Sequence, residues 1–359
     1  MIRVYWRSFA VKWFESCYLH SYKEAVSSGK YIIVTGGAGF IGSHLVERLL
    51  ADGKSVVVID DLSTGSLQNL DAVKDSPKLK FVRSSISNLK ELDELVRDAE
   101  SIYHLAAAVG VELVIKEPVR TLQTNLHETE SILETASKHR VPVLLTSSSE
   151  VYGRSQRESF SEEDDLIIGA PTHPRWAYAC SKLMDEFLAL AYAKERGLPV
   201  TIVRLFNTVG PRQTGRYGMV LPRFIEAAKA GKPLQVFGDG SQTRCFCYIA
   251  DAVEAFVRLQ NYEAARGEIF NVGGTEEISI LGLAEMVIST LGSKSGIQMV
   301  PYEKAYGAGF EDMRRRKPDV RKLKRIIAFS PVTSLQRAIS MLIGETKKAS
   351  VGGRLRKSI

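Results

Sequence analysis

Lys30-Tyr-Ile-Ile-Val-Thr35 runs into Gly36-Gly-Ala-Gly39-Phe-Ile-Gly42, and Ser43-His-Leu-Val-Glu-Arg-Leu-Leu50 follows at once. The first stretch is apolar and rich in β-branched residues, and glycine closes it, which reads as a buried parallel strand. The last stretch has the apolar spacing of a helix. Between them, Gly36 and Gly39 allow a tight turn and close approach of the backbone to a pyrophosphate. Gly42 allows the helix to pack closely on the strand, and the helix N-terminus faces the anion. A second apolar run, Ser55-Val-Val-Val-Ile-Asp60, ends on a carboxylate about where the ribose 2′-hydroxyl of a dinucleotide needs an acceptor. Asp60 would repel a 2′-phosphate, so the expected cofactor is NAD rather than NADP.

Outward from this unit, apolar runs alternate with helical stretches as far as residue 210. The expected strands are Tyr31–Thr35, Ser55–Ile59, Leu79–Val82, Ser101–Leu105, Val143–Thr146 and Val200–Leu205, with helices over Pro118–His139 and Trp176–Glu195. Such alternation implies a parallel sheet covered on both faces. Beyond Gly210 the alternation fades, and Tyr217–Ala230, Ser279–Leu291 and Leu335–Gly344 read as helices among short strands and loops. The expected fold is α/β, a Rossmann-type doubly wound parallel sheet with a smaller C-terminal substrate-binding domain. The expected organisation is an N-terminal extension (1–29), a dinucleotide-binding domain (30–210, with some later segments returning to it), a mainly substrate-binding portion (211–344) and a basic tail (345–359).

The 359 residues suffice for a large core and exceed one average domain. The formal charge of +7 is not a property of the expected domains: residues 1–30 carry +3 and residues 344–359 carry +4, leaving the span between neutral. A nucleic-acid-binding domain would place its basic excess on a folded face, so no nucleic-acid partner is expected. No apolar run is long enough to span a bilayer. Residues 1–28 are aromatic but interrupted by charges, and lack the apolar core and cleavage site of a secretory signal. Cys17, Cys180, Cys245 and Cys247 lack a zinc-binding pattern and read as reduced thiols of a cytoplasmic protein, with no metal expected.

Tyr178 and Lys182 stand four residues apart in Trp176-Ala-Tyr-Ala-Cys-Ser-Lys182, one helical turn on a shared face. An ammonium beside the phenol would lower its pKa from about 10 and make Tyr178 usable as a base near neutrality. It could then take a proton from a hydroxyl as hydride leaves the same carbon. Taken alone, the pair is equally an ordinary helix-surface pair. Its meaning comes from the dinucleotide-binding unit upstream.

The ordered motifs Thr35-Gly-Gly-Ala-Gly-Phe-Ile-Gly-Ser-His44, Tyr103-His-Leu-Ala-Ala107, Ser147-Ser-Ser-Glu-Val-Tyr-Gly153, Tyr178 with Lys182, Arg204-Leu-Phe-Asn-Thr-Val-Gly-Pro-Arg212 and Gly238-Asp-Gly-Ser-Gln-Thr-Arg244 resemble the extended short-chain dehydrogenase/reductases. Within these, the chain resembles the NAD-dependent nucleotide-sugar epimerases, dehydratases and decarboxylases from about Tyr31 to Gly344. The resemblance implies a cofactor site of Gly36, Gly39, Phe40, Ile41, Gly42, Asp60, Asp61, Ile86, Leu105, Ala106, Ala107 and Asn125, together with Tyr178 and Lys182. It places Ser148 and Ser149 near the sugar, and Asn207, Arg212 and Arg244 at the nucleotide diphosphate, where arginine forks suit phosphate oxygens. It also implies a homodimer formed through a four-helix bundle. One departure concerns adenine: the family often has an acid near Ser85-Ile86 for the base's amine, and serines stand here.

As the resemblance implies, these enzymes oxidise a sugar hydroxyl, usually at C4, and pass hydride to NAD. Epimerases return hydride to the other face. Decarboxylases use the new ketone as an electron sink for a C5 carboxylate. Ser149-Glu150, the Arg175-Trp-Ala-Tyr178 approach and Arg316 within Arg314-Arg-Arg316-Lys-Pro318 resemble UDP-glucuronate decarboxylases, with Arg316 beside the sugar carboxylate. UDP-glucuronate decarboxylation is therefore the first expectation. A UDP-glucose or UDP-glucuronate 4-epimerase and a non-catalytic NAD-binding regulator stand as alternatives.

Overall fold

A computed structural model of the chain describes residues 30–109, 117–215, 219–306 and 312–344. The expected N-terminal extension and basic tail lie outside the described residues. The first half unfolds as strands and helices in alternation, except that β2 and β3 are joined through a 3-10 turn at Leu67–Leu70: β1 (Tyr31–Thr35), α1 (Phe40–Ala51), β2 (Val56–Ile59), β3 (Leu79–Val82), α2 (Leu92–Arg97), β4 (Ala99–His104), α3 (Pro118–His139), β5 (Val143–Ser148), α4 (Ala177–Arg196) and β6 (Val200–Leu205). β5 runs two residues beyond the expected end because Ser147 and Ser148 continue its pairing with Arg204 and Leu205 of β6.

After β7 (Thr208–Val209) come α5 (Val220–Lys229), β8 (Leu234–Phe237), β9 (Thr243–Cys245), β10 (Cys247–Tyr248), α6 (Ile249–Gln260) and β11 (Ile269–Val272). The chain continues through β12 (Glu277–Ser279), α7 (Ile280–Leu291), β13 (Ile297–Val300), α8 (Tyr302–Tyr306) and α9 (Arg321–Ile327). A last helix, α10, covers 335–344.

Seven strands form one parallel sheet in the order β11-β6-β5-β4-β1-β2-β3. β11 comes from beyond residue 210 and returns to the sheet beside β6. The chain first winds from β1 to β3 and then crosses to β4 on the other side of β1. This reversal opens a crevice at the carboxyl ends of β1 and β4, where ligands of such sheets bind.

The two faces follow from the period-2 alternation of strand side chains. Ile32 and Val34 of β1 and Val56 and Val58 of β2 point to one side, against Leu45, Val46 and Leu49 of α1 and Ala252, Val253 and Phe256 of α6. Tyr31, Ile33, Val57 and Ile59 point to the other, against Leu95, Ile132, Leu133 and Ala189 of α2, α3 and α4. A separate core joins the later elements, with Phe224, Leu234, Val236, Leu283, Val287 and Ile339 at its centre. The sheet is thus a doubly wound Rossmann-type sheet, and this later core stands beside its carboxyl edge.

Candidate active site

The β1–α1 turn is built for close approach. Gly36 has φ +68, and a Cβ there would lie 2.8 Å from the Ala106 nitrogen; one on Gly42 would lie 2.2 Å from the Gly36 carbonyl. Only glycine fits these two positions. Helix α1 starts with no acidic residue in its first turn, so its positive end faces the cleft uncompensated. At the end of β2, Asp60 is nearly buried. Its Oδ2 accepts from the Ala38 amide at 2.9 Å and its Oδ1 from the Leu62 amide at 2.8 Å. Burial raises its pKa, against the pull of these two bonds.

These residues open onto one cleft of about 810 Å³ that extends from the β1–α1 turn to the later core. Its walls include Gly36, Gly39, Phe40, Ile41, Gly42, Asp60, Asp61, Ile86, Leu105, Ala106 and Ala107, and farther along Ser148, Glu150, Tyr178, Lys182, Asn207, Arg212, Arg244 and Arg316. Two expected site residues are set back from its walls. Asn125 accepts from the Ala108 amide at 2.8 Å and donates to Ser181 Oγ at 3.0 Å, bracing the loop after β4 against α4. Ser149 is fully buried and accepts from Arg316 at 2.7 Å.

The expected partnership of Tyr178 and Lys182 is corrected. Lys182 is buried and donates to Asp185 Oδ2 at 3.0 Å, one turn farther along α4. The Tyr178 phenol faces Ser148, and its pKa is raised, first by burial and then by the Glu150 carboxylate, with Ser148 opposing. A lysine held by a carboxylate lends the phenol little of its charge.

At the far end of the cleft the charges interlock. Glu150 Oε1 accepts from Arg316 at 2.7 Å, and its other oxygen is paired with Arg175. Burial disfavours the Glu150 charge, yet Arg175 and Arg316 bring its pKa down to about 2. Arg244 donates to Asp312 at 2.9 Å and to the Met313 carbonyl at 2.8 Å. Burial lowers the pKa of Arg316, Glu150 opposes, and the charges of Arg244 and Arg175 add to the lowering. The other expected phosphate ligands have protein partners: Arg212 bonds Glu47 at 2.7 Å and the Asn69 carbonyl at 2.9 Å, and Asn207 donates to the Cys245 carbonyl at 2.8 Å.

With this geometry in view, comparison with known proteins is decisive on one point. The model of the NAD dependent epimerase/dehydratase family matches residues 32–273. The chain belongs to this family. It is 42% identical over 88% of its length to a UDP-N-acetyl-alpha-D-glucosaminuronate decarboxylase of Bacillus cytotoxicus, of which 97% is covered. It is 34% identical over 88% of its length to UDP-glucuronic acid decarboxylase 1 of Danio rerio, of which 72% is covered. Among solved structures it resembles a UDP-glucuronic acid 4-epimerase from Bacillus cereus in complex with UDP-glucuronic acid and NAD. That match has a TM-score of 0.80 and 30% identity, and covers 89% of this chain and 99% of the other.

NAD is the cofactor of the family, and the groups on this chain suit it: a glycine cradle that a Cβ would fill, an open helix N-terminus and a ribose-height carboxylate. Several residues of the site escaped the sequence reading. Asp185 could have been found from its i+3 spacing to Lys182; Arg175, already noted in the approach to Tyr178, proves to be a partner of Glu150. Asp312 and Glu128 left no such signal. Glu128, on α3, accepts from the Ile86 amide at 2.5 Å and from Ser87 Oγ at 2.6 Å, and lines the cleft beside Ser84 and Ser85.

Proposed function

We propose that this chain is an NAD-dependent UDP-hexuronate decarboxylase. The observation that carries the reading is the charge at the sugar end of the cleft. Three guanidiniums, Arg175, Arg244 and Arg316, face two carboxylates, Glu150 and Asp312. Among the described residues these groups carry one positive charge in excess in a poorly solvated site, and a sugar carboxylate complements it. The names of the decarboxylase relatives support the same substrate class and the uridine nucleotide.

In this reading Gly36, Gly39 and the start of α1 hold the pyrophosphate, Asp60 the ribose, and Ser84–Ile86 with Glu128 the adenine. Bound NAD supplies a hydride acceptor for the sugar's C4. Tyr178 takes the proton of the C4 hydroxyl, and Ser148 orients the same oxygen. The resulting C4 ketone is β to the C6 carboxylate. The C5–C6 bond breaks, carbon dioxide leaves, and the electron pair passes into the C4–C5 enolate. Arg316, stripped of water and made a weaker base than an exposed guanidinium, holds the carboxylate and stabilises the developing charge. Glu150 is ionised at neutral pH and so acts as the anchor of Arg175 and Arg316 rather than as a proton donor.

The likeness to a UDP-glucuronic acid 4-epimerase favours a second reading, since that enzyme handles a uronate too. Incubation with UDP-glucuronate, UDP-N-acetylglucosaminuronate and UDP-glucose, each with NAD, followed by mass spectrometry, separates the two. Loss of carbon dioxide from either uronate is expected. An isomer of unchanged mass moves the assignment to 4-epimerase, and no reaction with any of the three removes both.

The proposal extends to architecture. Residues 30–210 act mainly as the NAD-binding part and 211–344 mainly as the sugar-nucleotide part. A homodimer forms through α3 and α4, whose outer surface exposes Met184 and Phe187. A cytoplasmic location suits the free thiols of Cys180, Cys245 and Cys247.

A further inference from the structure

Asp185 is a carboxylate of α4 with no exposed surface. Its Oδ2 takes Lys182 Nζ at 3.0 Å, and the lysine side chain is only 2% exposed. Groups from every packed element bear on this pair. On α3, the Thr129 hydroxyl lies beside the Asp185 carboxylate. On β4, His104 bridges Thr35 Oγ1 at 2.9 Å and Thr129 Oγ1 at 3.1 Å. Burial, aided by the Lys182 charge, pushes that imidazole down to about 3, so His104 is neutral near neutral pH. On α4 itself, Glu186 is committed to Arg204 at 2.7 Å, and Tyr178 stands one turn before Lys182. Across the cleft, Glu150 and Arg316 also act on Tyr178. Among the described residues, Asp185 is the only carboxylate within ion-pair distance of Lys182.

An ammonium in a dry site responds to its nearest anion. One of the three Lys182 donors is committed to Asp185, which fixes the direction of the other two. The Asp185 carboxylate also acts on the Tyr178 phenol itself, adding to the rise that burial and Glu150 produce. We propose that Asp185 is a positioning residue: it orients Lys182 and acts on the phenol with its own charge, and so sets the pH at which Tyr178 accepts a proton. This rests on Tyr178 being the base. It adds to that reading a residue whose removal has two effects: the phenolate becomes available at lower pH, as an intrinsically weaker base, and the lysine loses its fixed direction.

The test uses the full chain loaded with NAD and the uronate it accepts, and follows kcat/KM and single-turnover hydride transfer against pH. Asp185→Asn removes the charge and keeps the shape. The acid limb of its profile is expected about one pH unit below the parent's, because the carboxylate's charge no longer acts on the phenol. Asp185→Glu keeps the charge and is expected to restore the parent's limb. Should the Asn variant fail to fold, Asp185→Ser, with room for a water at the ammonium, gives the same readout. Thermal melts and NAD titration report folding for each variant. A purely structural ion pair would change the melts and leave the limb in place. An acid limb that is unmoved, or displaced upward, overturns the inference. Tyr178→Phe is run in parallel: if it keeps its turnover, the base itself is misassigned, which is distinct from Asp185 having no influence on a correctly assigned base.

Discussion

Glu150 is charged at neutral pH because Arg175 and Arg316 outweigh the cost of burying it. Its pKa in the folded chain, about 2, lies below the ordinary 4.5. The unfolded chain therefore binds the proton first as pH falls. The stabilisation is complete above about 4.5 and is lost progressively toward about 2, on the order of 3 kcal/mol in all. Thermal melts across that acid window should show a steep loss for the parent and a shallower one for Glu150→Gln; parallel slopes would remove Glu150 from the account. The same contact governs substrate choice. Arg316→Ala should weaken UDP-glucuronate about ten- to a hundredfold more than UDP-glucose, the worth of one charge-assisted bond. Inhibition constants for the two nucleotide sugars check this. Tyr178→Phe should lose roughly two to four orders of magnitude in turnover and still bind nucleotide sugar. A loss of only a few-fold would place the base elsewhere. At this scale the spacing of residues in the sequence gives neither the ionic partners nor the states of charge of the buried groups. Tyr178 and Lys182 share a helix face as their spacing requires, yet the partner of the ammonium is Asp185. The i+4 spacing says nothing about which neighbour wins a buried charge.

Elements were more legible than their cross-connections. Strands β1 to β6 and helices α3 and α4 fall where the apolar periodicity puts them, because a doubly covered parallel sheet imposes continuous apolar runs. β11 was hidden, since a four-residue strand separated from β6 by two helices, α5 and α6, and several short strands has no periodicity of its own to announce its return. The wall proposed for adenine was hidden for a similar reason. Serines at 84 and 85 leave the loop after β3 without an acid, and Glu128 supplies one from α3, more than forty residues away in sequence. Its Oε2 is engaged by two amides of that loop, and Oε1 accepts from Ser87 while retaining capacity for another donor. An adenine amine is such a donor. Glu128→Ala should weaken NAD about ten- to a hundredfold. It should also erase the parent's preference for NAD over the hypoxanthine dinucleotide, which lacks the amine. Calorimetric titration with both dinucleotides measures this, and a preference that survives the substitution would assign Glu128 to holding the loop alone.

For the molecule as a whole, the formal charge of +7 sits at the two ends of the sequence, so the expected face for partners is apolar rather than basic. Cys180, Met184, Phe187 and Ala191 follow one another at i, i+4, i+7 and i+11, a single stripe along α4. The stripe is exposed, with Met184 at 54% and Phe187 at 64%. Its inward counterparts, Ala179, Lys182, Asp185 and Glu186, are buried, so one helix carries the candidate catalytic face on one side and the candidate dimer face on the other. If two copies pair through α3 and α4, each Phe187 moves from water into the bundle. Burial of such a side chain contributes about 1.5–3 kcal/mol, and symmetry counts it twice. Phe187→Asp should therefore raise the dimer dissociation constant by about two to four orders of magnitude. Sedimentation equilibrium of the parent and of Phe187→Asp reads this directly. Because Lys182 and Tyr178 lie on the same helix, the monomer should also lose turnover without losing its fold. A parent that is monomeric at every concentration, or a variant that dimerises as tightly as the parent, would remove α4 from the interface.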